Sequence, residues 1–353
     1  MKTLLIHASF GEGHKRAAEC LKDSLQAPCK DLLEFCPGVL KKIFFTGYLF
    51  LTQHMIWLWN LILASGRSQV IGRVVNKLNS LIFFSIFKYI RESKPKVIVT
   101  THFFIAPLLA SLKSELNFKL IVILTDTKVY PLWVHPCVDC YFASFTETKN
   151  DLINQGVSEN KIISGYTSVR EGFFKELISS DLRNKFSVDQ RPCVLFVSSI
   201  SGNFPFIKKV LSKLSNKYNF FVIYGRNKRL KTYLEKLDNP SVRMFSFYED
   251  IWELTHLSSV IITKPGGTTV FEGVCKKKTF VFTHFIPGQE EGNMEIAINC
   301  GVGKRTKSAL ELIEAIEYFV EKGSDLAKHY PLNLCDIRPK LKCKIDELIN
   351  ENT

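Results

Sequence analysis

Acidic residues are absent from one long stretch of this sequence. Of 353 residues, 34 are Asp or Glu against 47 Lys or Arg, a formal net charge of +13. None of the acids falls between Glu34 and Glu92. Glycine (19) and proline (13) are too sparse for a collagen-like or linker sequence. A charged fraction of 23% beside 46% hydrophobic residues excludes a disordered chain. The ten cysteines lack paired, regular spacing, which points to reduced thiols in a cytoplasmic setting and away from a disulfide framework. A leader is not expected either. Met1-Lys2 runs straight into Thr3-Leu4-Leu5-Ile6-His7-Ala8, and Gly11 and Gly13 follow where a small-residue cleavage site would stand. The run reads as a first buried strand. The length suggests two domains with ample core, so no metal or disulfide is needed for folding.

The acid-free stretch holds seven cations, Lys41, Lys42, Arg67, Arg73, Lys77, Lys88 and Arg91, around an uncharged run from Ile43 to Gly66. A membrane span has the required length, but Thr46, Gly47, Thr52, Gln53, His54 and Asn60 interrupt it. A buried helix pair is a second reading. The third is an interfacial surface, where aromatic-rich apolar side chains and cations meet an anionic leaflet, each cation contributing up to about 1 kcal/mol. Nucleic acid is not expected as a partner, because the cations are interleaved with Phe, Trp and Leu and form no stripe.

Short β-branched or aromatic runs alternate with helical patterns along the chain. Strands are predicted at Thr3–Ala8, Val97–Thr101, Leu120–Leu124, Cys140–Ala143, Lys161–Ser164, Val194–Ser198, Phe220–Tyr224, Val260–Thr263 and Thr279–Phe282. Helices are predicted between them, among them His14–Gln26, a long helical region within Val39–Ile90, Ile105–Leu116, Thr268–Cys275 and Ala309–Glu321. This alternation implies an α/β protein with parallel sheets. The polar stretch Ser179–Pro192 breaks the rhythm and suggests a junction there or slightly earlier, near Gly165. The expected architecture is two doubly wound, Rossmann-like domains facing a cleft: residues 1–170, residues 171–330, and a helical segment 331–353 that packs back on the first. Ligands of such folds bind at the carboxyl ends of the strands.

Three loops carry the candidate chemistry. In Ser9-Phe10-Gly11-Glu12-Gly13-His14 the two glycines admit a ligand close to the main chain. A dinucleotide fingerprint needs a third small residue at Arg16, so that reading fails. His14 is the titratable group, suited to accept a proton near neutrality, with a helix start expected to keep its ring neutral; a structural or capping histidine is the bland alternative. In Thr263-Lys264-Pro265-Gly266-Gly267-Thr268-Thr269-Val270-Phe271-Glu272, amides, hydroxyls and a helix start form a diphosphate seat, with Glu272 placed to accept from ribose hydroxyls. An ordinary turn with an exposed Glu is the alternative. In Pro287-Gly288-Gln289-Glu290-Glu291, Gln289 and Glu290 suit sugar hydroxyls, or form a solvated acidic loop. Asp126, at the end of an apolar strand, either orients an acceptor or caps the next segment. His135, Cys137 and Cys140 lack a second ligand pair at finger spacing, so no metal is expected.

Taken together, these segments resemble the glycosyltransferase family (family 28-like) of monogalactosyldiacylglycerol synthases and processive diacylglycerol glucosyltransferases. The resemblance rests on GEGHKRAAECL, GYLFLTQH, LTDTKVYPLWVHPCVDCYFA, YGRNKRL, TKPGGTTVFEGV and PGQEEGN, spread along nearly the whole chain. It implies the glycosyltransferase B fold and an inverting, metal-free transfer of a hexose from a UDP-sugar to diacylglycerol or a related glycolipid, with no bound cofactor. His14 would be the base, and Asp126 would belong to the catalytic set. Ser199, Gly202, Arg226, Gly266, Gly267, Thr268, Glu272, Gln289 and Glu290 would hold the donor. Gly11, Gly13, Tyr48 and Trp57 would meet the acceptor, with the protein in the cytoplasm at the inner face of an anionic membrane. One segment departs from the family: where a glycine-rich loop is usual, this chain reads Ser198-Ser199-Ile200-Ser201-Gly202-Asn203, with a single glycine. Transfer of N-acetylglucosamine to a polyprenyl-diphosphate lipid and a non-catalytic binding paralogue are the alternative readings.

Overall fold

The computed structural model describes residues 1–9, 12–38, 84–197, 204–286 and 290–351. The predicted helical region within Val39–Ile90 is described only from Phe84 on, as a helix Phe84–Ser93 that buries Ile86, Phe87 and Ile90 on one face. The apolar run 43–66 with Tyr48 and Trp57, and also Gly11, Ser199, Gly202 and Gln289, lie outside the described residues. Among the described residues no helix is long and apolar enough to cross a membrane. Two of the seven cations of the acid-free stretch are described, and both have acidic partners. Arg91 makes a bidentate pair with Glu115 at 2.8 Å, and Lys88 lies 3.9 Å from Glu92.

The chain forms two compact units. The first comprises Met1–Arg170 and the chain from Leu334 on; the second comprises Glu171–Phe285 and Glu290–Asn333. In the first, strands β1 (Thr3–His7), β2 (Cys29–Asp31), β3 (Val97–Thr100), β4 (Lys119–Ile123), β5 (Cys140–Ala143) and β6 (Ile162–Ser164) form one parallel sheet in the order β2-β1-β3-β4-β5-β6. The inner strands are buried on both faces, as continuous apolar runs in a parallel sheet require. Alternate residues face opposite layers. Leu4, Ile6, Ile98, Leu120 and Val122 pack with the helix Ile105–Leu116. Leu5, Val97, Val99, Ile121 and Ile123 pack with the last helix, Ile337–Asn350, through Ile337, Leu341, Ile345 and Leu348. That helix presents one apolar stripe at helical spacing, and Asp336 caps it by accepting from the Arg338 amide at 3.0 Å. A two-residue strand pair, β7 (Tyr166–Thr167) with a short strand at Cys335–Asp336, ties the returning chain to this unit.

The second unit repeats the plan. With β8 (Cys193–Val197), β9 (Asn219–Ile223), β10 (Val242–Phe245), β11 (Ser258–Thr263), β12 (Thr279–Phe282) and β13 (Gly303–Arg305), its order is β10-β9-β8-β11-β12-β13, all parallel. Counted from β8, this is the 3-2-1-4-5-6 order of a doubly wound nucleotide-binding sheet. Gly273 fits only because it has no side chain: an added Cβ would come within 2.5 Å of the Phe280 ring. The division lies a little ahead of the polar stretch Ser179–Pro192. That stretch opens with a helix, Ser179–Lys185, inside the second unit, and the division falls between Arg170 and Glu171.

Candidate active site

In each sheet the strand order reverses once, and the segments leaving the two strands beside that point carry the candidate residues. In the first unit these strands are β1 and β3. The chain leaving β1 enters the helix Glu12–Leu25, with Gly13 and His14 in its first turn. The chain leaving β3 supplies Thr101 and His102. His14 is 7% exposed. Its Nδ1 lies 2.7 Å from the Thr101 carbonyl oxygen and 2.9 Å from Thr125 Oγ1, while the Thr101 hydroxyl donates to the His14 carbonyl at 2.8 Å. A carbonyl oxygen only accepts, so Nδ1 carries the ring proton and Nε2 keeps its lone pair. Burial pushes the His14 pKa down to about 4; the Thr101 bond opposes the shift, and His7 adds to it. The helix start is the cause the sequence suggests for a neutral ring, whereas burial is the chief cause in the fold.

His102 faces His14 edge-on, with ring centroids 4.4 Å apart. The Phe104 amide donates to His102 Nδ1 at 3.2 Å, which puts the His102 proton on Nε2, the opposite tautomer. Burial, followed by His14 and His7, holds His102 well below the ordinary imidazole range. Phe103 stacks on His102, and fully buried Trp133 lies beyond it, 6.2 Å from the His14 ring centroid. Asp126 is buried in the segment leaving β4, and its neighbour Thr125 is the residue that touches His14. Thr101, His102 and Thr125 were not singled out from the sequence. The one signal available was the run of polar residues directly after two apolar strands. His135 and Cys137 touch through Nδ1 and Sγ at 2.9 Å, whereas Cys140 packs into the opposite core layer. Among the described residues no group of three His, Cys, Asp or Glu side chains is placed to hold a metal ion.

In the second unit the reversal lies between β8 and β11. After β11 the chain turns, with the Gly266 amide donating to the Lys264 carbonyl at 2.9 Å, and enters the helix Gly267–Cys275. The first intrahelical bond is Val270 N–H to Gly266 O, and no side chain caps the helix. The amides of Gly267, Thr268 and Thr269 therefore stand at a positive helix end, suited to an anion. Gly266 has φ −64°, so the turn does not need glycine for its backbone angle. An added Cβ there would lie at ordinary contact distance, 3.8 Å from Glu290 Oε1 and 3.9 Å from Lys264 Cε. Glu272 and Glu290 are both 5% exposed, which excludes the readings of an exposed Glu and a solvated acidic loop. Lys264 pairs directly with Glu290 Oε1. Arg226 is exposed and follows Gly225, which turns at φ +56° after β9.

The family described as monogalactosyldiacylglycerol (MGDG) synthase matches residues 14–165. A processive diacylglycerol β-glucosyltransferase of Bacillus cytotoxicus is 25% identical over 99% of this chain and 94% of its own length. A glycosyltransferase of Bacillus subtilis described as uncharacterised, YkoN, is 28% identical over 84% of this chain and 82% of its own. Among solved structures, MurG of Acinetobacter baumannii superposes with a TM-score of 0.63 at 13% identity, covering 98% of this chain and all of that one. UDP-GlcNAc 2-epimerase of Neisseria meningitidis, bound to UDP-GlcNAc, superposes with a TM-score of 0.59 at 15% identity, covering 98% and 99%. Two parallel sheets of Rossmann type and these likenesses identify the glycosyltransferase B fold. With the match over residues 14–165 and relatives aligned along most of its length, the chain is similar to the monogalactosyldiacylglycerol synthases and processive diacylglycerol glucosyltransferases.

Proposed function

We propose that the protein is an inverting hexosyltransferase that moves a sugar from a UDP-sugar to diacylglycerol or a related membrane lipid. The observation that carries the reading is His14: a buried imidazole kept unprotonated, with Nε2 left as the accepting nitrogen. As the acceptor hydroxyl attacks the anomeric carbon, its proton passes to Nε2, the bond from that carbon to the diphosphate oxygen breaks, and UDP leaves with the electron pair. Donor binding falls to the second unit. The amides of Gly267, Thr268 and Thr269 and the Thr268 hydroxyl take the diphosphate, Glu272 the ribose, and Glu290 with Gln289 the sugar. Arg226 adds a cation near the phosphates, and the reaction calls for no metal. Gly11, Gly13, Tyr48 and Trp57 are assigned to the lipid acceptor, Asp126 to orienting it, and Ser199 and Gly202 to the donor.

Support for a lipid acceptor comes from the relatives named as diacylglycerol glucosyltransferases and from the basic, aromatic composition between Glu34 and Glu92. The reading places the protein at the cytoplasmic face of an anionic membrane. The test is incubation with UDP-glucose, UDP-galactose or UDP-N-acetylglucosamine and vesicles containing diacylglycerol and phosphatidylglycerol. A sugar-bearing diacylglycerol and co-sedimentation with the vesicles are expected. UDP-sugar binding without any product, from folded and vesicle-bound protein, would reassign it to a non-catalytic binder.

A further inference from the structure

In the donor unit Glu290 is ion-paired with Lys264, a residue that the donor-site reading leaves without a role. Lys264 begins the segment leaving β11, and Glu290 directly precedes the helix Glu291–Asn299. The Lys264 ammonium donates to Glu290 Oε1, with 29% of the lysine side chain and 7% of the glutamate side chain exposed. Both groups border the turn that opens the amide-rich helix start, since a Cβ on Gly266 would lie in van der Waals contact with each. A carboxylate at that position opposes a diphosphate, and an ammonium attracts one. Paired, they cancel each other.

We propose that Lys264 is a donor-binding residue whose ammonium is held by Glu290 in the free protein and passes to the diphosphate when a nucleoside diphosphate sugar binds. The exchange releases the Glu290 carboxylate to accept hydrogen bonds from the sugar. The inference rests on the donor-site reading above. Only hydrogen bonds and ion pairs change partners; no covalent bond is made or broken in the exchange. A diphosphate carries more charge than a carboxylate and brings several oxygens to the lysine and the helix amides at once, so it displaces the carboxylate. Glu290 then becomes available only after the diphosphate is seated. A free sugar, which lacks that group, meets a carboxylate already engaged. The pair thus makes sugar recognition conditional on the nucleotide.

The test is calorimetric titration of the full-length protein with UDP and with uridine. Glu290→Gln keeps the side-chain shape and frees Lys264, so it should tighten UDP by roughly tenfold and leave uridine unchanged. Lys264→Met should weaken UDP, again with uridine unchanged, and Lys264→Arg should restore most of the loss. In the Lys264→Met background Glu290→Gln should no longer tighten UDP. Tightening that persists there would mean that Glu290 merely repels phosphate, and the exchange would be wrong. Unchanged or weaker UDP binding by Glu290→Gln, with uridine still bound, overturns the exchange and leaves the donor site standing. Loss of both UDP and uridine binding in the unaltered, folded protein overturns the donor site and the exchange together. Thermal melts of each variant separate these outcomes from misfolding.

Discussion

The Nδ1 of His14 lies 2.7 Å from the carbonyl oxygen of Thr101, and this contact fixes which ring nitrogen is able to take a proton. The two residues are 87 positions apart in the chain. Thr101 holds His14 twice, since its hydroxyl also donates to the His14 carbonyl. The imidazole is thereby oriented by the strand on the other side of the sheet's reversal point, and its own helix supplies only the backbone position.

Replacing His14 with Ala removes the accepting nitrogen and leaves the Gly266 turn untouched, because the two belong to different units. Turnover should fall by about 100- to 10,000-fold, the usual worth of a general base. The dissociation constant for UDP, measured by calorimetry, should stay within a few-fold of the starting value. Equal losses in both would assign His14 to structure.

The pKa of about 4 has a consequence for stability as well as for rate. Between pH 6.5 and 4 the unfolded chain protonates this histidine and the folded one does not. Stability from this source is therefore complete above pH 6.5 and is lost as pH falls toward 4, on the order of 3 kcal/mol in all. His7 and His102, also lowered mainly by burial, add with the same sign. Denaturant melts should show a fall in stability through this window that is shallower in His14→Gln. The acid limb of kcat/KM should lie below pH 5, not near 6.5.

Glu272 is buried in the second turn of its helix, and the donor-site reading gives it the ribose hydroxyls. Glu272→Gln should weaken UDP by roughly tenfold or more, the scale of a hydrogen bond to a charged group. The same substitution should cost 2′-deoxy-UDP less. If both ligands weaken equally, the carboxylate does not read the ribose.

Two glycines of one helix region separate packing from binding. Gly273→Ala drives a methyl group into the Phe280 ring and the Ile261 side chain, and should destabilise the protein by about 1–3 kcal/mol in chemical denaturation. Gly266→Ala meets only ordinary contact distances at an unstrained φ, so stability should change by less than about 0.5 kcal/mol. The new methyl stands against the Lys264–Glu290 pair, and its effect should appear as weaker UDP binding.

Much of the fold was legible because a parallel sheet buried on both faces writes itself as continuous apolar runs. The inner strands β3, β4, β5, β8, β9, β11 and β12 fall within a residue or two of their expected limits. In the two six-stranded sheets the strands without that signature were β2, β10 and β13, and all three lie at sheet edges, where residues are only partly covered. The helix Ala309–Lys328 runs past its expected end at Glu321 and through Gly323, whose added Cβ would meet nothing within 4 Å. Packing of Leu312, Ile316 and Phe319 against the second sheet outweighs the modest helix penalty of one glycine.

The sequence by itself determined the local pieces: two strand–loop–helix turns, the histidine in one, and the glycines and glutamate in the other. Their chemistry depends on residue types at short spacing, which a single segment can specify. Tertiary structure alone decided which side chains meet. Thr125 reaches His14 across 111 positions, Glu290 reaches Lys264 across 26, and the last helix covers the first sheet. Parallel strands must be joined by long crossovers. Partners at one sheet end therefore lie far apart in the chain, and no local pattern announces them.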